Sequence, residues 1–291
     1  HFGAVYNDRG EYGWSRNVST IEKNVFSELK QMKTDYCDFG FLHCVDEQKD
    51  LDELISSGVL ELIYKLKKEG VVRRIGFSSH TPAVASRAID LGVMDMMMFS
   101  INPAYDCEMG DEYGIGSAKE RADLFKKAVK EGVGISVMKA FHGGRLFDEK
   151  ASPFNSALTK YQCIQYALDR PGVLTVLPGV RNMEDLEELL GFFDAPKEMK
   201  DYSVIGSLSA KTAYGSCVYC NHCAPCPVGI NVGLVNKYYD LALSGDRLAK
   251  EHYAKLEKNA KDCILCGHCD KRCPFKVEGA KRMQKIAKYF S

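Results

Sequence analysis

Eight of the chain's 12 cysteines fall into two ordered runs, Cys217-x2-Cys220-x2-Cys223-x2-Cys226-Pro and Cys263-x2-Cys266-x2-Cys269-x3-Cys273-Pro. A Cys-x2-Cys-x2-Cys loop can wrap three thiolates around one face of an iron–sulfur cubane, and the fourth iron then takes a remote cysteine followed by proline. The spacing therefore reads as two 4Fe-4S clusters. In the two-cluster pattern the fourth cysteine of each run ligates the other cluster. On that rule Cys217, Cys220, Cys223 and Cys273 hold one cluster, and Cys263, Cys266, Cys269 and Cys226 hold the second.

Zinc is the competing ligand, because Cys-x2-Cys pairs also build structural four-cysteine zinc sites. Zinc ribbons use separated pairs, whereas each run here is continuous and ends in Cys-Pro, and the second run has the spacing of bacterial ferredoxins. The first run departs from that spacing, with two residues, Ala224 and Pro225, before Cys226 where the pattern has three. Disulfides are disfavoured: no secretory leader stands in the sequence, and clustered cysteines in an intracellular chain read as metal-binding. The expectation is a cytoplasmic protein. The other four cysteines, Cys37, Cys44, Cys107 and Cys163, read as small buried filler.

Lysine plus arginine equals aspartate plus glutamate at 39 each. That balance gives no field for nucleic acid or an anionic membrane. No apolar run of about 18 residues occurs, so no membrane span is expected. The length of 291 residues corresponds to about two domains. His1 opens the sequence without a methionine, which reads as a removed segment or an excerpt.

The elements that must carry any chemistry alternate between helical and strand periodicity from about residue 19 to 193. A capping box, Ser19-x-x-Glu22, opens a helix with Ile21, Val25, Leu29 and Met32 on one face. A strand over Phe39–Leu42 follows and ends at His43. A helix carrying Ile55, Val59, Leu62, Ile63 and Leu66 leads to a strand from Val72 to Phe77. Helix 82–91 precedes a strand around Met96–Ile101. Ser117-x-x-Glu120 caps a helix before the strand Gly134–Met138, and helix 156–169 leads to Val173–Leu177. Met183, Leu186, Leu189 and Leu190 line a last helix. Apolar strands joined by helices imply a parallel sheet with right-handed crossovers, as in a β/α barrel or an open doubly wound sheet. No Gly-x-Gly-x-x-Gly opens a helix after any strand, which favours the barrel. The periodicity stops after residue 194, and a stretch with Gly206, Ser207, Ser209 and Ser216 leads into the cysteines. Helical spacing between the runs, at Ile230, Leu234, Tyr238 and Leu241 and again at Leu248, Tyr253 and Leu256, predicts a helical type of ferredoxin domain. The expected division is a β/α-barrel domain over 1–200 and a cluster domain over 201–291.

Three segments, 29–43 ending in Leu42-His43, 70–79 ending in Gly76-Phe77-Ser78-Ser79, and Leu177-Pro178-Gly179-Val180-Arg181-Asn182, resemble the aldo-keto reductases in order and spacing. With the cysteine tail, the chain resembles the branch carrying a C-terminal ferredoxin-like domain. The resemblance implies a (β/α)8 TIM-type barrel that binds NADP(H) or NAD(H) and reduces a small carbonyl or oxidises an alcohol. It implies that His43, at the end of the family's fourth strand, reaches the substrate oxygen. It places Ser78 on the nicotinamide carboxamide, with Ser79 where the family usually has asparagine. It assigns Gly179, Val180, Arg181 and Asn182 to the cofactor's phosphates and adenosine end, with Arg181 suited to a 2′-phosphate, and Asp185 and Glu188 to the adenine. Lys139 ends a strand at the same mouth and is followed by His142-Gly143-Gly144; His80 adjoins Ser79. The loops 103–117 and 142–156 would shape the pocket.

The family's catalytic aspartate, tyrosine and lysine come from the second and third strands and the loop between them, which would lie before residue 1. Tyr6 and Tyr12 stand in a polar stretch and are not assigned that role. The expectation is a barrel lacking its opening strands. The alternative is a non-catalytic electron-transfer protein in which the clusters serve a partner.

Overall fold

A computed structural model describes residues 1–6, 9–205, 215, 217, 219, 221–243, 245–246, 248–273 and 275–291. Gly206, Ser207, Ser209, Ser216 and the cluster ligand Cys220 lie outside the described residues.

A short antiparallel hairpin comes first, β1 (Ala4–Tyr6) against β2 (Tyr12–Trp14) with Val5 opposite Gly13. Helix α1 (Val18–Met32) buries Ile21, Val25 and Leu29, as their spacing requires. Its cap is Asn17 and not Ser19: the Asn17 side-chain oxygen accepts from the Thr20 N–H, and the Ser19 hydroxyl donates to the same oxygen. Strand β3 (Cys37–Leu42) leads through α2 (Gln48–Ser56) and α3 (Val59–Lys68) to β4 (Val72–Ser79). The single helix expected over Ile55–Leu66 is thus two, broken at Gly58, whose φ of 86° is left-handed and cheap only for glycine. Then follow α4 (Pro82–Asp90), β5 (Met96–Ser100), the short α5 (Pro103–Asp106), α6 (Ala118–Lys130), β6 (Gly134–Met138), α7 (Lys160–Leu168), β7 (Val173–Val176) and α8 (Met183–Leu190). The Ser117/Glu120 capping box at α6 forms as expected, and α7 starts later than expected, at a box made by Thr159 and Gln162.

Strands β3 to β7 make one parallel sheet in sequence order, so every strand delivers its C-terminal end to the same edge of the sheet. Among the described residues this sheet has 5 strands. Phe2 lies parallel beside its first strand, bridging Leu42. Strand β5 is buried along its whole length, but β7 is not covered on both faces: Leu174 is 67% exposed. Apolar residues of the helices pack on the central strands, and one buried charge, Arg121 in α6, is held by Asp106 at 2.9 Å and by the Ser100 carbonyl at 2.5 Å. Pairing of that kind is what a buried guanidinium requires.

After α8 the described residues carry helices α9 (Val232–Leu243), α10 (Leu248–Ala254), α11 (His268–Arg272) and α12 (Gly279–Tyr289). Ile230, Val235, Tyr253, Met283 and Ile286 form a small core of their own, while Phe275 and Val277 join the main core. Of the four cysteines expected as filler, Cys107 and Cys163 are buried, but Cys37 and Cys44 are only half-buried. Among the described residues no helix is long and apolar enough to cross a membrane.

Candidate active site and cysteine cradle

His43 follows β3 directly at the C-terminal edge of the sheet. Its backbone is fixed on both sides: its N–H donates to the Phe2 carbonyl at 3.0 Å, and its carbonyl accepts from Arg16 Nη1 at 2.9 Å. Its ring is met by two others. The Tyr12 hydroxyl shares a hydrogen bond with Nε2, and His1 Nδ1 lies 3.1 Å from Nδ1. Burial, reinforced by nearby positive charge that includes Arg16, lowers the His43 pKa and favours the neutral ring. Burial and the Cys44 and Tyr6 side chains raise that of Tyr12, so the phenol keeps its proton. A protonated phenol beside a neutral imidazole places a proton donor suited to a carbonyl or alcohol oxygen. Sequence reasoning set Tyr12 aside; the β1–β2 hairpin, which folds it back over the end of β3, had no signal beyond a glycine-containing polar stretch.

Ser78 and Ser79 end β4. Ser78 Oγ accepts from the Cys44 N–H at 2.9 Å, which leaves its own proton to donate, and the residue is buried. Ser79 is turned away, its hydroxyl donating to Asp46 at 3.2 Å. Asp46 also takes the His80 N–H at 2.5 Å, His80 Nδ1 at 3.0 Å and the Cys44 thiol at 3.3 Å. Burial opposes ionisation of Asp46, but the side-chain and backbone bonds from His80 overcome it and bring the pKa down to about 2. The Asp46–His80 pair was also missed from sequence, since its members are joined only by the pairing of β3 with β4.

Lys139 directly follows β6, with its ammonium 3.9 Å above the Tyr113 ring, and the Asn102 amide ties the Lys139 carbonyl at 2.9 Å. Beside it a cavity of about 550 Å³ is lined by Lys139, Gly143, Gly144, Gly179, Lys160 and Arg181, among others. The three glycines face open space. Cations and bare backbone, set in a wall that also includes Phe141, Phe147 and Leu177, suit a phosphate-bearing ligand. The cations are already engaged, however. Arg181 forks onto Asp185, with Nε at 2.9 Å and Nη2 at 3.2 Å, and Lys160 reaches Asp185 at 2.8 Å and Glu188 at 2.5 Å. These two cations hold the Asp185 carboxyl well below its usual range. Asn182 caps α8 through the Asp185 N–H, and Val180 is about half exposed. Six predicted nucleotide contacts thus share one corner with Lys160, which sequence reasoning did not identify, whereas Ser78 and Ser79 lie at the other end of the mouth.

Where both are described, the two cysteine runs take matching backbone turns. Left-handed residues stand at Tyr219, Asn221 and Gly229 in the first run and at Leu265, Gly267 and Lys276 in the second. Each trio holds equivalent places between and after the cysteines, and the Gly229 and Lys276 N–H groups both close on a ligand carbonyl, that of Cys226 and of Cys273. Such reversals turn successive N–H groups inward, the geometry that favours anionic clusters. Cys223, Cys226, Cys263, Cys266 and Cys269 line one cavity walled by Ile230, Val232 and Met283. This set contains the four residues assigned to the second cluster. Cys217 and Cys273 pack instead beside the main core, on the side of the first. Space is kept by Gly279: a Cβ there would lie 2.7 Å from Cys269 Sγ. The cysteine sulfurs, the apolar wall and the glycine cradle are the donor set and surroundings an iron–sulfur cluster takes, around a cavity of about 20 Å³. Among the described residues no three His, Cys, Asp or Glu side chains converge on a single ion.

Residues 8–160 match the model of the aldo/keto reductase family, and residues 213–277 match that of a 4Fe-4S dicluster domain. "Uncharacterized oxidoreductase YqkF" of Bacillus subtilis is 29% identical over 200 residues, which are 62% of this chain and 63% of the relative. The chain thus spans less than two thirds of the length of that curated relative. Among solved structures, the holo form of the aldo-keto reductase AKR11C1 from Bacillus halodurans is similar in fold, with a TM-score of 0.53 at 21% identity, over 72% of this chain and 71% of its own.

Proposed function

The chain belongs to the aldo/keto reductase family, and from that premise we propose that it is a nicotinamide-dependent oxidoreductase that interconverts a small carbonyl and its alcohol and carries two 4Fe-4S clusters. The observation that carries the reading is the Tyr12–His43 pair at the sheet's C-terminal edge, where active sites of β/α barrels stand. A bound nicotinamide supplies the hydride. The chain's own residues do the rest. Lys139, Gly143, Gly144 and Gly179 border the groove for the dinucleotide's phosphates, and the Ser78 hydroxyl is available to its carboxamide. Arg181 and Lys160 would serve a 2′-phosphate once it competes with Asp185 for them. The substrate oxygen accepts the Tyr12 proton, and the His43 ring, which stands edge-on to the Tyr12 ring with 5.7 Å between centres, orients the phenol. Tyr12, 54% exposed, regains its proton from solvent. The helices between and after the cysteine runs support a cluster domain of the helical ferredoxin type.

One observation favours the non-catalytic alternative: the closure of Arg181 and Lys160 onto Asp185 neutralises the groove's cations. NADPH fluorescence titration, with iron analysis on the same anaerobic sample, separates the two readings. Saturable binding with about eight irons per chain, four for each run, is expected of the reductase. Iron without nucleotide binding would favour the alternative, and zinc in place of iron would overturn both.

A further inference from the structure

We propose that the face around Cys266 docks an acidic one-electron carrier protein; the inference rests on the cluster assignment above. Cys266 is the one exposed cysteine among the described ligands. Its neighbours Ile264 and Leu265 are 62% and 46% exposed, an apolar knob beside the edge where the second cluster comes closest to solvent. Leu265 shares a concave surface with Lys276 and Lys281, where Asp270 and Glu278 also stand and Glu278 pairs with Lys281 at 3.1 Å. Lys271, Arg272, Lys285 and Lys288 are exposed on the same segment. From Cys263 onward the chain carries five Lys and two Arg against one Asp and one Glu, while its total charge is zero.

An apolar contact beside a net excess of one sign of charge steers and orients a partner of opposite charge without binding it tightly, which suits a carrier that must leave. The transfer needs no bond: a cluster held by Cys266 would accept the one electron that the carrier's reduced flavin or iron–sulfur centre gives up. A basic surface also attracts nucleic acid, but the exposed ligand thiolate and the apolar knob favour a redox protein.

The test uses the holoprotein and an acidic flavodoxin as probe. Reduced flavodoxin is mixed anaerobically with the holoprotein, cluster bleaching is followed, and binding of the oxidised form is measured by calorimetry. Binding and rate should each fall about tenfold or more between low and 200 mM salt, as expected of steered association. Lys281→Glu/Lys285→Glu should lower both about tenfold while iron content and reduction by dithionite stay unchanged. A Lys23→Glu/Lys119→Glu control on the α/β part should behave as wild type. Salt-independent reduction, an unaffected double variant, equal reactivity with basic cytochrome c, or tighter binding of a duplex oligonucleotide than of flavodoxin would each overturn the docking proposal alone. A chain without iron would overturn the cluster reading and this proposal with it.

Discussion

The Arg170 guanidinium lies 5.0 Å from the ring centre of Tyr219, so a residue placed between α7 and β7 holds the first cysteine run against the α/β part. Its other face is 4.2 Å from the Tyr166 ring, and the Tyr219 hydroxyl donates to Asp240, which pairs with Arg282 of α12 at 2.5 Å. The core of one unit and the cradle of the other are thereby joined through one buried cation. Arg170→Ala should destabilise the chain by about 2–4 kcal/mol, the range for breaking a buried charged network. Urea unfolding checks this, and a change below about 0.5 kcal/mol would show the stack to be incidental.

Tyr12 and His43 should act as a unit. Tyr12→Phe and His43→Gln are each expected to lower kcat by about 10²–10⁴, the usual contribution of a positioned acid, and the double variant should lose little more than either alone. Nucleotide affinity should stay near wild type. Because the His43 pKa lies below its ordinary 6.5 and that of Tyr12 above its ordinary 10.0, the pair is neutral across that window. The pH–rate profile should be flat within it, and a bell centred near neutrality would contradict the assignment.

The carboxyl of Asp46 should leave a mark on acid stability. Its folded pKa of about 2 lies below its ordinary 3.8, so its stabilisation is present above the ordinary value and is lost as the pH falls toward the folded one. In Asp46→Asn that acid limb should flatten, by about 1 kcal/mol once solvent screening is allowed for. Denaturant midpoints measured from pH 5 to about 2 decide the matter.

Gly279→Ala sets a methyl against Cys269 Sγ and 3.1 Å from Asp270 Oδ1. The neighbours are a ligand and its loop, so the strain falls on the second cradle, and a cost of about 1–3 kcal/mol is expected from overpacking. Iron should fall toward half of the wild-type content with the first run unaffected. Full retention of iron would mean that the cradle is wider than the structure has it.

Features carried by local spacing were legible in the sequence. The cysteine runs, the strand ending at His43 and the apolar faces of α1 and α3 all follow from periods along the chain. What depended on contacts between distant segments was not. The Ser19 signature yielded to Asn17, because the helix starts at Val18 and the Asn17 side chain reaches the free Thr20 N–H. One long amphipathic stretch became two helices because Gly58 could turn left-handed within it. Tyr12 reached His43 through a hairpin of two three-residue strands, too short to register as a pattern. Asp46 found His80 only because β3 and β4 pair in parallel. The Arg181 fork, read as open to a phosphate, closed on a carboxylate four residues along its own helix start.

The central claim is hydride transfer at the sheet edge occupied by Tyr12 and His43. It is tested most directly by supplying the protein with NADPH deuterated at C4 and a panel of small aldehydes, and analysing the alcohols by mass spectrometry. The account predicts one deuterium at the former carbonyl carbon of an alcohol product, with formation of that product suppressed in His43→Gln. Unlabelled alcohol, or no oxidation of NADPH or NADH with any aldehyde by a protein that carries its full complement of iron, would contradict it.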